Sequence, residues 1–204
     1  MSYGVYAVTS LDGARGTGCI ANSVMQITSE PATIAVSMNH DNFTNQCIAK
    51  DGRFAISILS EKSEPTIIGT LGFQSGKDVN KLEGVEHEMV AGLPVLTDTC
   101  GYIICEVINQ METSSHTVFL GKVVDAKSYE GAANAMTYAY YHNVVKGKSP
   151  KNAPTYIAEE VSEKLAVHKY VCQVCGHEYF GESVPADYKC PICGQGADKF
   201  KLAK

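Results

Sequence analysis

The sequence has no tryptophan among its 204 residues, and only 19% of its side chains are charged. Lys and Arg number 17 against 22 Asp and Glu, which gives a formal net charge of −5. Such a chain lacks the basic surface that binds nucleic acid or an anionic membrane, so we expect neither as a partner. Its 45% hydrophobic content is ordinary for a globular chain of one or two domains.

Targeting signals and long apolar runs are also absent. The opening MSYGVYAVTSLDG has neither the basic region nor the apolar region of a signal peptide. No apolar run approaches the roughly 18 residues that a membrane-spanning helix needs. The segment GARGTG at 13–18 does not match the glycine fingerprint of dinucleotide-binding domains. We therefore expect a cytoplasmic protein without a membrane partner.

Eight cysteines need an explanation in a reducing compartment. Four are scattered in apolar surroundings and are interpreted as buried thiols: Cys19, Cys47, Cys100 and Cys105. The other four are clustered near the end of the chain. Clustered cysteines in the cytoplasm indicate a metal or redox site rather than a disulfide framework.

Composition divides the chain into three segments. Residues 1–150 contain β-branched and aromatic runs separated by glycine turns, with two short helices predicted after Asn42 or Asp41 and after Ser63. Residues 151–168 are rich in Lys and Glu and read as a linker, helical in part around Glu159–Leu165. Residues 169–204 contain too little apolar bulk to fold without a staple such as a metal. Many strands with few helices predict a mainly β fold, a barrel or sandwich with short helices.

The four clustered cysteines form two Cys-x-x-Cys pairs, each followed by a glycine. Two such pairs build a tetrahedral site of four thiolates, which both zinc and iron accept. Gly176 and Gly194 permit the positive φ that turns backbone amides toward the sulfurs. Spacing predicts a metal site but leaves iron and zinc open. The predicted ligands are Cys172, Cys175, Cys190 and Cys193.

The motifs YVCQVCG, CPICG and DKF resemble those of rubredoxins. Pro191 and the aromatic residues at Tyr170, Tyr179 and Phe200 fit that resemblance. Tyr188 stands where rubredoxins usually have a tryptophan, and the short spacer between the pairs is more similar to the small module of rubrerythrins. The resemblance implies one iron that carries single electrons, and it favours iron over zinc.

The first segment resembles the flavin reductase-like family, whose fold is an FMN-binding split β-barrel. The resemblance is carried by ANSVM (21–25), the turn at 29–31, VSMNHDNFTNQCI (36–48), GFQSGKDVNKL (72–82), HTVFLGKVVDAKSY (116–129) and YAYYHNVVKGK (138–148). It implies an FMN site, since a phosphate needs a dense cluster of amides, hydroxyls and a helix N-terminus. We predict these FMN contacts: Asn22, Ser23, Val24, Met25, Ser37, Met38, Asn39, Asn42, Thr44, Lys77 and Lys81.

Two of the six histidines match family motifs. The resemblance places His116 near the flavin and nicotinamide, and His142 follows an aromatic run in a second family motif. Both are predicted catalytic residues. The other four histidines are interpreted as surface or turn residues.

A flavin reductase-like barrel followed by a rubredoxin module resembles the high molecular weight rubredoxins. That resemblance implies electrons passing from NAD(P)H to FMN, to iron and on to a redox protein such as a flavodiiron nitric oxide or oxygen reductase. It also implies a homodimer with FMN near the subunit interface. A protein electron donor in place of NAD(P)H stays open. The alternatives are a flavin reductase with a zinc-bound structural or docking module, and a non-enzymatic FMN- or metal-dependent sensor.

Overall fold

The computed structural model of the chain describes residues 3–145, 147, 168–181 and 183–203. The chain divides into two compact units, Met1–Ala153 and Pro154–Lys204, and each is described by itself. The helix predicted around Glu159–Leu165 lies outside the described residues. Of the predicted linker, only His168 is described, and it begins a strand. Among the described residues, no helix has the length and apolar character needed to cross a membrane.

Strands build most of the first unit. Seven of them form one sheet in the order β2-β1-β5-β8-β9-β4-β3, with every neighbouring pair antiparallel. A separate hairpin comprises β6 and β7. The bounds are β1 Tyr6–Asp12, β2 Arg15–Ala21, β3 Val24–Ser29, β4 Ala32–Asn39, β5 Arg53–Ile58, β6 His87–Val90, β7 Leu93–Leu96, β8 Gly101–Glu112 and β9 His116–Ser128.

The described part of the first unit also contains three short α-helices. They are α1 Phe43–Asp51, α2 Pro65–Phe73 and α3 Tyr138–Asn143. Asn42 caps α1 as predicted, since its side chain accepts the Thr44 N–H. The predicted cap of α2 is wrong. Glu64 occupies the N-cap position, and Asp98 Oδ2 accepts its N–H at 2.7 Å. The Ser63 hydroxyl is engaged elsewhere, because it accepts the Ser60 N–H at 2.9 Å and donates to the Asp98 carbonyl at 2.6 Å.

The apolar core lies on both sides of the strands. One cluster packs α2 and α3 against Val5 and Leu59, and a second packs β4, β5 and β9 against Ile48 of α1. Three of the scattered cysteines, Cys19, Cys47 and Cys105, are buried as predicted. The mainly β prediction with short helices is confirmed.

The second unit is a three-stranded antiparallel sheet in the order β11-β10-β12. Its strands are β10 His168–Cys172, β11 Glu178–Gly181 and β12 Phe200–Leu202, with a 3-10 helix at Ala197–Lys199. The core contains Phe200 with Tyr170, Tyr179 and Tyr188 around two of the cysteines. The ring centroid of Tyr188 lies 4.6 Å from that of Tyr179 in a tilted contact and 5.4 Å from that of Phe200 in an edge-to-face contact, so Tyr188 is part of this aromatic core.

Candidate functional site

The four predicted metal ligands converge in the second unit. The sulfur atoms of Cys172, Cys175, Cys190 and Cys193 all lie within 4.8 Å of one another. Cys172 Sγ is 3.7 Å from Cys193 Sγ, and Cys175 Sγ is 3.5 Å from Cys190 Sγ. Tetrahedral coordination with metal–sulfur bonds of about 2.3 Å needs sulfurs about 3.8 Å apart. The donor set therefore fits a single tetrahedral metal ion.

The two Cys-x-x-Cys turns have the same hydrogen-bond pattern. In each, the first cysteine sulfur accepts from the amides two and three residues later, and the second accepts from the amide two residues later. Gly176 and Gly194 follow with φ of 77° and 71°, as predicted. The amide donors are Val174 and Cys175 to Cys172, His177 to Cys175, Ile192 and Cys193 to Cys190, and Gln195 to Cys193.

These amides favour the thiolate form that a metal needs. Burial raises the pKa of the Cys190 thiol, but amide bonds from Cys193 and Ile192 outweigh it and bring the pKa to about 6. Cys172 shifts in the same direction for the same reasons. The hydrogen bond from the His177 amide lowers the pKa of the Cys175 thiol, but burial and the other three sulfurs raise this pKa to about 12. Four neighbouring sulfurs ionise together only when a cation compensates their charge.

One side of this site faces solvent. Cys172 and Cys190 are buried, whereas Cys175 is exposed and Cys193 is partly exposed. Val174 and Ile192 occupy the same position in the two turns, and 58% and 71% of their surfaces are exposed. An apolar rim beside exposed ligands gives a partner protein close access to the metal.

Strand pairing in the first unit brings several predicted flavin contacts to one end of β4. The Ser37 N–H donates to the Ser23 carbonyl at 3.0 Å, and Asn39 pairs with His116 across β4 and β9. Ser37, Asn39 and His116 share one side of the sheet because alternate residues of a strand point the same way. Met25 pairs with Ala35 on that side and is 63% exposed. An open surface with polar atoms at one end and apolar atoms beside them suits a flavin ring.

His116 is held by its own hairpin. Its Nδ1 lies 2.8 Å from Ser115 Oγ, and the Thr113 hydroxyl accepts its backbone N–H at 3.0 Å. Its Nε2 is buried and has no hydrogen-bond partner among the described residues. Burial, and next the nearby His40, lower the pKa of the His116 ring. The surroundings of His116 thus disfavour its charged form and leave a buried Nε2 without a hydrogen-bond partner among the described residues.

A second polar cluster surrounds the N-terminus of α1. Lys81 is only 4% exposed, and its Nζ donates to the Leu71 carbonyl at 2.6 Å. Among the described residues no carboxylate pairs with this ammonium. Thr17 Oγ1 is also buried without a partner. A buried cation without a counter-charge, an orphaned hydroxyl and a helix N-terminus fit the phosphate of FMN.

Gly76 closes the loop over this cluster. A Cβ at Gly76 would lie 2.4 Å from Thr17 Oγ1 and 2.9 Å from Phe43, so only glycine fits there. Arg15 holds the loop, since its Nη2 donates to the Gly76 carbonyl and to Asp12 Oδ2, both at 2.9 Å. Thr17, Arg15 and Gly76 were not predicted from the sequence. Their types are common in turns, and only the fold places them beside Lys81.

Other predicted contacts lie elsewhere or are otherwise engaged. The Met38 side chain is in the core, and its carbonyl accepts from Asn45 Nδ2 at 2.9 Å. Lys77 is exposed. His142 Nδ1 contacts the Gly147 carbonyl at 2.9 Å, and its ring packs 4.3 Å from that of Tyr138. The His142 ring thus belongs to the aromatic cluster around α3, whereas His116 lies at the β4–β9 edge.

Comparison with known proteins identifies both units. The flavin reductase like domain family matches residues 1–148, and the rubredoxin-like domain of rubrerythrin matches residues 170–201. A high molecular weight rubredoxin from Moorella thermoacetica is 37% identical over 98% of this chain and 96% of its own. This chain belongs to the high molecular weight rubredoxin family.

Two further matches agree with this family. The ferric-chelate reductase (NAD(P)H) of Archaeoglobus fulgidus is 37% identical over 76% of this chain and 93% of that protein. The fold of NADH:FAD oxidoreductase SgcE6 from Streptomyces globisporus covers 67% of this chain and 81% of that one, with a TM-score of 0.62 and 22% identity. The split-barrel fold is thereby confirmed. The chain is a flavin-dependent oxidoreductase whose cofactors are FMN and one iron.

Proposed function

We propose that this protein takes electrons from NAD(P)H onto FMN, passes them singly to iron in the four-cysteine site, and delivers them to a redox protein. The carrying observation is a four-sulfur site with an exposed edge in the same chain as a flavin reductase-like unit. FMN supplies the exchange between a two-electron hydride and single electrons. The protein binds, orients and insulates the two cofactors.

At the ring end of the flavin site, this chain supplies a flat apolar surface and polar edge groups. The exposed Met25 lies on the side of the sheet that carries Ser37 and Asn39. The Val24 side chain packs toward the core instead, so we propose that Val24 contacts the flavin through its backbone. His116 also lies at this end, and its buried Nε2 has no hydrogen-bond partner among the described residues. We assign it the role of a hydrogen-bonding group near the reacting edge of the flavin.

At the phosphate end, the positive charge comes from Lys81 and from the N-terminus of α1. The Asn42 side chain accepts the Thr44 N–H and the Asn42 carbonyl accepts the Asn45 N–H, so the amide of the first turn that we propose for an anion is that of Phe43. Thr17 supplies a hydroxyl, and Arg15 fixes the loop at Gly76. Lys77, exposed on this same loop, is placed to add charge from outside.

The acceptor we propose is a flavodiiron nitric oxide or oxygen reductase. Support for a protein acceptor comes from the exposed Cys175 and from the apolar side chains of Val174 and Ile192 beside it. Because a single iron stores one electron, each NAD(P)H serves two encounters with the acceptor. A reducing cytoplasm is the location we propose, since all eight cysteines are free thiols in the structure.

We further propose a homodimer that covers the exposed apolar side chains of β3, β8 and β9 in the first unit. β3 is an edge strand, and all its residues but the half-buried Val24 are exposed. Apolar side chains on β3, β8 and β9 face solvent, which is unusual for an isolated sheet. These are Met25, Ile27, Ile108, Met111 and Val124.

The test is anaerobic addition of NADH or NADPH to purified holoprotein, followed by absorbance of the flavin and of ferric iron. We expect both chromophores to bleach, with iron following flavin. In Cys190→Ala we expect FMN to remain bound and to bleach, while the iron signal is missing. Bleaching of flavin alone in a protein that contains zinc would support the alternative of a flavin reductase with a structural module. Absence of reaction with either nucleotide, but reduction by a protein donor, would overturn the NAD(P)H step.

A further inference from the structure

A cavity of about 430 Å³ opens between the β1–β2 turn, the loop before β6 and the β6–β7 hairpin. Sites for small molecules have volumes of roughly 300–1,000 Å³. The buried residues Leu82 and Pro94 line the floor of this cavity together with Gly16. A Cβ at Gly16 would lie 2.6 Å from Leu82 Cδ1 and 3.1 Å from Pro94 Cγ, so glycine lets the three residues form one close-packed surface. The floor is therefore apolar.

Exposed polar side chains surround this floor. His87 Nδ1 lies 2.7 Å from the Val85 carbonyl, so the proton of the neutral ring is on Nδ1 and Nε2 is an acceptor. Asn80 Oδ1 accepts the Leu82 N–H at 3.4 Å, which leaves the Nδ2 group as a donor. The Glu83 carboxylate forms no ion pair among the described residues. An apolar floor with acceptors and a donor at its edge suits an aromatic base that carries an amine.

The hairpin that bears His87 is fixed from behind. Its neighbour Glu88 faces the other side of β6, because successive strand residues alternate, and Glu88 Oε1 accepts the Tyr129 hydroxyl at 3.2 Å. On β7, the Pro94 carbonyl accepts the Thr9 hydroxyl at 2.5 Å. The cavity is thus bounded by walls that the fold holds in place, which lowers the cost of ordering them around a ligand.

The cavity adjoins the proposed phosphate end of the flavin site. Lys81 stands between two lining residues of the cavity, and Thr17 directly follows a third. Arg15 lines the cavity and also donates to the Gly76 carbonyl in the loop over the phosphate cluster. A nucleotide whose base occupies the cavity therefore has cationic side chains close by for its phosphates.

We propose that this cavity binds the adenosine end of an adenine dinucleotide. The base covers the apolar floor, and its exocyclic amine donates to His87 Nε2. Two dinucleotides carry this group to a flavin reductase-like unit, namely FAD in the place of FMN, and NAD(P)H. Use of the cavity by NAD(P)H rests on the proposed function, whereas the binding of adenosine does not.

The first test titrates AMP into oxidised, FMN-loaded, full-length protein, in which FMN already occupies the phosphate end. Purine riboside monophosphate, which lacks the exocyclic amine, is titrated in parallel, and NMR shifts of the β6 amides report occupation. We expect AMP to bind at least about threefold more tightly, because only AMP donates to His87 Nε2. This preference disappears in His87→Phe and persists in the control His168→Phe, whose histidine is exposed on the second unit. Unchanged β6 shifts with AMP, or a preference that survives in His87→Phe, overturn the proposal.

The second test separates the two dinucleotides. If the adenosine is that of FAD, FMN-free His87→Phe loses about three- to tenfold in affinity for FAD and keeps its affinity for FMN. If it is that of NAD(P)H, His87→Phe raises the KM for the nucleotide by a similar factor, and reduction by nicotinamide mononucleotide in its reduced form is unchanged. No change in any of these constants overturns the proposal. If neither NADH nor NADPH reduces the flavin, the proposed function fails, and the AMP and FAD titrations still decide what the cavity binds.

Discussion

Single residues decide the character of the proposed phosphate end of the flavin site. Lys81 is predicted from the sequence as an FMN contact, and in the structure its ammonium is buried and donates to the Leu71 carbonyl. One N–H is used on Leu71, so two donors of the ammonium stay available. Burial lowers the pKa of Lys81, and a partly compensating effect comes from Cys19. An anion beside Lys81 would oppose that shift, because a nearby negative charge favours the charged ammonium.

We predict that Lys81→Met weakens FMN binding at least about tenfold, because a charge-assisted hydrogen bond to phosphate contributes roughly 1.5–3 kcal/mol. Binding of riboflavin, which has no phosphate, stays the same. Fluorescence titration of the FMN-free protein measures both affinities. Lys50→Met, on the exposed end of α1, is the control and leaves both unchanged. An equal loss of riboflavin and FMN would place Lys81 away from the phosphate.

We also predict that the stabilities of the native protein and of Lys81→Met depend differently on pH. Since the pKa of Lys81 is lower in the folded protein, the unfolded chain binds more protons between that value and about 10.4. The free energy of unfolding therefore gains a contribution that rises with pH across this interval. Lys81→Met lacks that contribution, and urea unfolding of both FMN-free proteins at several alkaline pH values checks it. A constant difference between the two proteins would contradict it.

At the scale of elements, the loop after α2 connects the helix N-terminus of α1 to strand β2. Gly76 lets this loop approach Thr17 and Phe43 closely, and Arg15 ties it to the β1–β2 turn through Asp12. The serine and lysine around Gly76 resemble ordinary turn residues in the sequence. Only the contact of three distant elements gives them a place in the site.

We predict that Gly76→Ala destabilises the protein by about 1–3 kcal/mol and weakens FMN binding, because its Cβ would collide with the Thr17 hydroxyl and Phe43. Gly69→Ala in α2 is the matched control. A Cβ at Gly69 meets no atom within 4 Å, so that change stabilises the helix by about 0.5–1 kcal/mol. Urea unfolding and FMN titration measure both effects. Equal free energies of unfolding for the two variants would show that the loop accommodates a Cβ at position 76 without loss of stability.

At the scale of the molecule, exposed apolar strands and a four-sulfur site make different demands on partners. The strands of the first unit offer a broad apolar surface suited to a permanent partner. The metal site of the second unit offers two exposed apolar side chains, which suits brief contact with an acceptor. The proposed stable dimer and the proposed brief contact with an electron acceptor are compatible in one chain, because they use different units.

We predict that Ile108→Lys shifts the protein from dimer to monomer, because a charge on the proposed interface is costly to bury. Ile108 is 54% exposed, so the substitution leaves the monomer fold intact. Sedimentation velocity over a range of concentrations measures the change. Met89→Lys, with 58% exposure on β6, is the control and stays dimeric. A native protein that is monomeric at all concentrations would contradict the interface.

Local signals in the sequence are sufficient for the features that depend on near neighbours. The metal ligands follow from two Cys-x-x-Cys pairs and their glycines, because the turn itself aims amides at the sulfurs. The α1 cap follows from Asn42 for the same reason. The cap of α2 could not be predicted in this way, because the N–H of Glu64 donates to the carboxylate of Asp98, which lies 34 residues away.

The sequence by itself determined the metal site, the mainly β character and, through the order of its motifs, the family. The tertiary structure decided which polar residues meet. Strand register brings Asn39 beside His116, and the packing of the loop at Gly76 and of α1 against β2 brings Thr17 beside both of them. Contacts between distant segments depend on the packing of the whole sheet, and short sequence patterns do not encode that packing. For this reason Lys81 is buried with no carboxylate partner among the described residues, and that burial is visible only once the chain is folded.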